Sequence, residues 1–287
     1  MWNLKNKLVV ISGATNGIGK AAALEIAKHG PRMLLTFRNQ GLADELSGEL
    51  KSINPDLNVD FVYCDFANQD SIRQCSKEIL GLGQQIDVLV NNAGVVNTSY
   101  HETLDGIENT FAVNHVGYFL LTNLILGQML GEEETRIINV SSAAHSFVKT
   151  INWPDINLKD SFGMGMTAYS HSKLANLLFT RYLATKLSTS NVTVNAIHPG
   201  GVNTALGNQN KAVFGTILKV LLKPFFRSPR KGAASIVYLA TKDNDGVTGE
   251  YFVDCKEAKS SSYSKDLGEA QRLWELSEEL VHQQFTL

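Results

Sequence analysis

Residues 8–28 constrain the fold more than any other stretch. Leu8-Val9-Val10-Ile11 is an unbroken apolar run and reads as a strand buried on both faces. It leads into Ser12-Gly13-Ala14-Thr15-Asn16-Gly17-Ile18-Gly19 and then a strong helix-forming run, Lys20–Lys28, stopped by Gly30-Pro31. A strand that passes through a glycine turn straight into a helix opens a βαβ unit. Such a unit commits the chain to a parallel sheet covered by helices.

The alternation recurs down the chain. Strands are expected at Arg32–Phe37, Val59–Tyr63, Ile86–Val90, Arg136–Val140, Asn191–Ile197 and Gly249–Val253. Helices are expected at Leu42–Ile53, Gln69–Leu80, Glu102–Met129, Tyr169 to about Leu187, Arg230–Thr241 and Lys265–Gln283. This predicts an α/β fold: a doubly wound parallel sheet with helices on both faces and right-handed crossovers. Its strand ends meet along one edge, where open sheets bind ligands. The 287 residues read as one domain, with a cofactor half at 1–142 and a catalytic and substrate half at 143–287.

Composition narrows the function classes. Net charge is −2, and no basic stripe with interleaved aromatics is present, so nucleic-acid binding is not expected. Cys64, Cys75 and Cys255 lack metal-ligand spacing, so no metal site is expected. A sparse, odd set of thiols suits a reducing compartment, where the sequons at Asn97, Asn139 and Asn191 carry no meaning. Met1–Lys7 is polar and reads as neither signal peptide nor anchor, and no run reaches the roughly 18 apolar residues of a membrane span. A cytoplasmic location is the expectation.

Several residues fall at the expected ligand edge. Gly13, Gly17 and Gly19, with Asn16 and Ile18 between them, suit a tight turn beneath a pyrophosphate held at a helix N-terminus. A carboxylate at the end of the second strand would select NAD. Arg38 stands there instead, with a guanidinium fork suited to a 2′-phosphate, so NADP(H) is favoured over NAD(H). Asp65, beyond the third strand, either accepts from an adenine amino group, with the Phe66 main chain following, or merely begins a turn. Asn91-Asn92-Ala93-Gly94 ends the fourth strand. Ala93 and Gly94 are small enough for a cofactor to lie against the backbone, and Asn91 is placed to brace a neighbouring strand. Asn114, an amide amid apolar residues, either ties its helix to a neighbour or breaks it locally around a water. Tyr169 and Lys173 are one helical turn apart on one face, where an ammonium would lower the phenol pKa from about 10 and make a proton-transfer pair.

Together these residues resemble the short-chain dehydrogenase/reductase family, with its single-domain Rossmann-type fold. The carriers are Gly13-x-x-x-Gly17-Ile18-Gly19, Asp65, Asn91-Asn92-Ala93-Gly94, Asn114, Ser142, Tyr169-x-x-x-Lys173 and His198-Pro199-Gly200. Within it the chain looks most like the retinol dehydrogenase branch, through Val140-Ser141-Ser142-Ala143-Ala144-His145, Tyr169-Ser170-His171-Ser172-Lys173-Leu174-Ala175-Asn176, Thr204 and Phe252-x-Asp254-Cys255. Two departures stand out: those enzymes usually begin with a membrane anchor, and Ser12 stands where the family usually has Thr.

The resemblance implies roles. Tyr169 would be the acid/base, Lys173 would lower its pKa and hold the nicotinamide ribose, Ser142 would hydrogen-bond the substrate oxygen, and Asn114 would support a proton relay. Pro199 and Gly200 would line the cofactor, Val202 would meet the carboxamide through its backbone, and Thr204 would meet phosphate.

Residues 143–167, with Phe147, Trp153 and Phe162, either wall the substrate site or pack as a surface loop. Residues 212–227 are very apolar, with Lys219, Lys223 and Arg227 at spacings of four. They suit a flap admitting a lipophilic substrate from a peripheral contact with an intracellular membrane, or an amphipathic helix over the core or in a homo-oligomer contact. The expected activity is NADP(H)-dependent interconversion of an alcohol and a carbonyl on a small apolar, retinol/retinal-like substrate. A carbonyl reductase of steroids, quinones or xenobiotics is the second expectation, and a non-catalytic NADP(H) sensor the third.

Overall fold

The computed structural model describes residues 2–201, 227–243 and 245–286. The expectations for Val202, Thr204 and most of 212–227 therefore lie outside the described residues, Arg227 alone excepted. An eight-stranded sheet runs β3-β2-β1-β4-β5-β6-β7-β8. Its strands are β1 (Leu8–Ile11), β2 (Arg32–Phe37), β3 (Val59–Tyr63), β4 (Val88–Asn91), β5 (Thr135–Val140), β6 (Val192–His198), β7 (Tyr251–Val253) and β8 (Lys256–Glu257). The first seven are parallel and β8 returns antiparallel to β7.

The apolar runs are explained by burial on both faces. Along β1, Leu8 and Val10 join one core while Val9 and Ile11 join the other. One core packs under α1 (Gly17–Ala27), α2 (Gln40–Ile53) and α7 (Pro229–Thr241). The other packs under α3 (Gln69–Leu80), α5 (Gly117–Ile125), α6 (Met166–Lys186) and α8 (Leu267–Leu280). Because the chain winds outward from β1 in both directions, β1 and β4 flank the switch point where a crevice opens at the strand C-termini.

Two elements differ from the sequence pattern. The helix expected from Glu102 starts only at α4 (Asn109–Phe111), because Thr103-Leu104-Asp105-Gly106 closes a turn with Gly106 at φ 74°. The buried Glu108 carboxylate then caps α4, accepting from the Thr110 and Phe111 N–H groups at 2.8 Å each. A π turn at Ala112–Val116 follows before α5. Asn109–Gln128 is long and apolar enough to pass for a membrane span, but 89% of its window is buried inside the fold, so it is a core helix. The second difference is β8. Asp254 and Cys255 both take positive φ, 51° and 62°, the backbone of a two-residue hairpin, in a dipeptide that carries no turn signal.

Helix α8 is held by aromatic contacts: Trp274 lies 4.9 Å from Phe119, 5.5 Å from Tyr182 and 6.1 Å from Phe179. Trp274→Ala removes the common partner of all three rings, and stability should fall by about 3–5 kcal/mol. A lowered denaturant midpoint at unchanged slope would register it.

Candidate active site

The first βα turn is built for close approach. Gly13 has φ 63°, and a Cβ on it would lie 2.8 Å from Ala93 Cα. A Cβ on Gly19 would sit 2.3 Å from Gly13 O. Asn92 ties the same turn to β4, its Nδ2 donating to Ser12 O and Gly13 O at 3.0 Å each. The Ser12 hydroxyl accepts from the Asn92 and Ala93 N–H groups at 2.8 and 3.1 Å, a job that any β-hydroxyl at this position can do. The roles of Asn92 and Ser12 were not legible beforehand, although both residues stand inside the quoted motifs. Asn16 caps α1 by accepting from Gly17 N at 2.6 Å, and the first turn of α1 carries no acidic residue to repel a diphosphate. This helix start at the switch point fits a dinucleotide.

Arg38 projects from the end of β2 with 59% of its side chain exposed and its guanidinium 3.5 Å from Asp65. Asp65 Oδ1 also accepts from Ala67 N at 3.0 Å, so the turn role weighed for it is present. Phe66 is buried edge-on against Tyr118, its ring leaving no room for a Cβ on Gly117. The brace expected of Asn91 is present. Asn91 is fully buried, and its Nδ2 donates to Thr122 Oγ1 at 2.8 Å and Asn139 Oδ1 at 2.9 Å. It braces β4 against β5 and α5. Pro199 follows β6, and Gly200 takes φ 80° against the Arg227 side chain.

Beyond β5 the sheet edge brings four residues together across long sequence separations. Ser141 and Ser142 face opposite ways: Ser141 Oγ donates to Lys173 O at 2.7 Å inside the fold, while Ser142 stands on the Tyr169 side. Ser142 Oγ accepts from Ala144 N at 3.2 Å, which leaves its hydroxyl proton for the phenol side. Lys173 is 3% exposed; its Nζ donates to Val140 O at 3.0 Å and lies 5.6 Å from the Tyr169 ring centre. Asn114 ties the π turn to both neighbours: its Nδ2 donates to Val95 O and to Ser172 Oγ at 3.0 Å each, and its Oδ1 accepts from Val95 N at 2.8 Å. The tie weighed for Asn114 is present, and the helix departs from α geometry around it as the π turn Ala112–Val116. A buried phenol that the sequence reading passed over, Tyr118, has its ring 5.8 Å from Lys173 Nζ and its hydroxyl without a hydrogen-bond partner among the described residues.

Burial holds Tyr169 above its ordinary pKa, and the Ser142 hydroxyl opposes that rise. Burial also lowers Lys173, to about 7. His198 falls to about 4, chiefly through burial and then the Arg227 charge.

Residues 13–255 match the family model described as enoyl-(acyl carrier protein) reductase. The chain is 38% identical over 291 residues to retinol dehydrogenase 14 of Mus musculus, covering 97% of this chain and 86% of that one.

The chain belongs to the short-chain dehydrogenase/reductase family.

Among solved structures, this family member superposes on an uncharacterized protein from Mycobacterium Paratuberculosis with a TM-score of 0.78 at 28% identity, covering 99% of this chain and 97% of that one. It also resembles a blue fluorescent protein from a metagenomic library, solved in complex with NADPH, with a TM-score of 0.67 at 28% identity over 87% of this chain and 96% of that one. As a family member the chain binds a nicotinamide cofactor and is an alcohol/carbonyl oxidoreductase of the retinol dehydrogenase-like kind.

The lysine shift makes a pH prediction. Unfolded, Lys173 titrates near 10.5; folded, near 7. Between these values the unfolded chain binds the extra proton, so the folded state gains relative stability as pH rises. Lys173→Met lacks this dependence. Its melting temperature should exceed that of the wild type most at pH 7 and below, and the gap should shrink toward pH 10.

Proposed function

We propose that the chain is an NADP(H)-dependent oxidoreductase interconverting an alcohol and a carbonyl on an apolar, retinoid-like substrate. The observation that carries this reading is the Tyr169 phenol, set between Ser142 and a buried Lys173 at the strand edge. When bound, the nicotinamide ring supplies or accepts the hydride. Tyr169 gives a proton to the substrate oxygen in reduction and takes it back in oxidation. Ser142 donates to the same oxygen and steadies the charge that develops on it. Lys173 draws its proton from the interior side, where Asn114 fixes the π turn to α6 through Ser172.

For the cofactor, Arg38 is the supporting residue. It is exposed, ends β2, and has no carboxylate beside it on its own strand, so a 2′-phosphate has a fork to bind. Asp65 competes for that guanidinium. For the substrate, the support is an apolar margin beside the reacting pair and the likeness to a retinol dehydrogenase. Phe147, five residues past Ser142, is 70% exposed, and Met164 and Met166, just before Tyr169, are 85% and 52% exposed.

Two measurements test the reading. Tyr169→Phe should lower kcat for retinal reduction by about 10²–10⁴-fold while NADPH affinity by fluorescence titration stays near wild type. Undiminished turnover would refute the acid/base role, and NADPH binding with no turnover of any retinal, ketosteroid or quinone would favour a sensor. Arg38→Ala should reduce the NADPH-over-NADH preference in kcat/KM by about tenfold or more. An unchanged ratio would remove the 2′-phosphate role.

A further inference from the structure

His145 lies three residues past Ser142 in the 3₁₀ turn Ala143–Phe147 and is 3% exposed. Its hydrogen bonds allow one neutral form only. The Ser261 N–H can only donate, and it points at Nε2 from 3.2 Å, so Nε2 carries no proton. The Ser142 carbonyl can only accept, and it lies 2.7 Å from Nδ1, so Nδ1 carries the proton. The ring edge packs on Tyr251 at 5.2 Å. Burial first, and the Arg181 charge after it, keep the ring neutral against the pull of the Ser142 carbonyl. Arg181 is itself held by Ser260 and Ser264, on either side of the same segment.

The turn after Ser142 is therefore clamped from two sides. His145 Nδ1 and the His145 N–H both reach Ser142 O, the latter at 3.1 Å. His198 Nδ1 accepts from Ala143 N at 3.2 Å. With its carbonyl fixed, the Ser142 main chain has little freedom to swing its hydroxyl away from Tyr169.

We propose that His145, as its Nδ1–H tautomer, is a positioning residue that fixes the Ser142 carbonyl against the 260–264 segment and so aims the Ser142 hydroxyl at the substrate oxygen and Tyr169. The proposal rests on the reading of Ser142 as the group that holds that oxygen. It assigns work to a residue quoted in the Ser142 motif for which no role was read from sequence.

Three substitutions in the full chain separate the two ring nitrogens. In His145→Asn the amide nitrogen stands near the Nδ1 position, so donation to Ser142 O survives; kcat should stay within about threefold of wild type. In His145→Gln the amide reaches the Nε2 position, keeping Ser261 and losing Ser142; kcat should fall about tenfold with the KM for NADPH unchanged. His145→Phe should match Gln, and should cost nothing further in a Ser142→Ala background. Equal kcat for the Asn and Gln variants would overturn the proposal, and that comparison stands even where Phe fails to fold. A full tenfold loss from His145→Phe on top of Ser142→Ala would overturn it too. Nitrogen chemical shifts of His145 in the wild type give a readout independent of turnover. A protonated Nδ1 supports the clamp, and a protonated Nε2 sinks it. A wild type that reduces no carbonyl would instead count against the functional reading and leave the tautomer measurement to decide the clamp.

Discussion

A parallel sheet buried on both faces has no free surface on which to carry chemistry. Alternate residues of β1, β2, β4 and β5 feed opposite cores, so each strand interior is spent on packing. What remains is the edge where the strands end. The strand-end groups of the site follow from this: Ser12 and Gly13 follow β1, Arg38 follows β2, Asn92–Gly94 follow β4, Ser142 follows β5 and His198 ends β6, while Tyr169 and Lys173 come from α6 and Asn114 from the π turn. Residues far apart in sequence meet because the topology leaves them nowhere else to go.

The polar groups inside this apolar frame hold the edge in shape. Asn91, Asn139, Thr122 and Thr180 form a chain of buried hydrogen bonds from α5 across β4 and β5 to α6. Asn114 and Ser172 make a second link, closer to the edge, between the β4 loop and the helix that carries Tyr169. Each link fixes the distance between a strand end and α6. Losing one partner would leave the other buried and unpaired, the costlier outcome in a dry interior.

Sequence pattern revealed the sheet, the helices around it and the Tyr169–Lys173 pair, because period and glycine placement are local signals. It misplaced the start of the helix before Asn114, since the turn at Thr103–Gly106 and the Glu108 cap look polar enough for an exposed helical turn. It missed β8 because Asp254-Cys255 is an unusual pair for a hairpin turn. The bracing role of Asn91 was legible from its place at a strand end; its partners Thr122 and Asn139 were not, because those contacts are tertiary. The single tautomer of His145 depends on Ser261, 116 residues away, and no local pattern announces such a pairing.

The sign of the phenol shift follows from the same burial, and it bears on the direction of the chemistry. In water an ammonium beside a phenol would favour the phenolate. Here burial strips Lys173 of water and lowers its pKa, to about 7. Burial acts on Tyr169 in the opposite sense, raising its pKa and favouring the protonated phenol. In the proposed reaction, that protonated phenol is the form a carbonyl needs in reduction. Oxidation of an alcohol requires that proton to leave first. Any positive charge that enters the site, including a protonated Lys173, would ease its departure. Charge brought close to this phenol therefore bears on which way its proton moves.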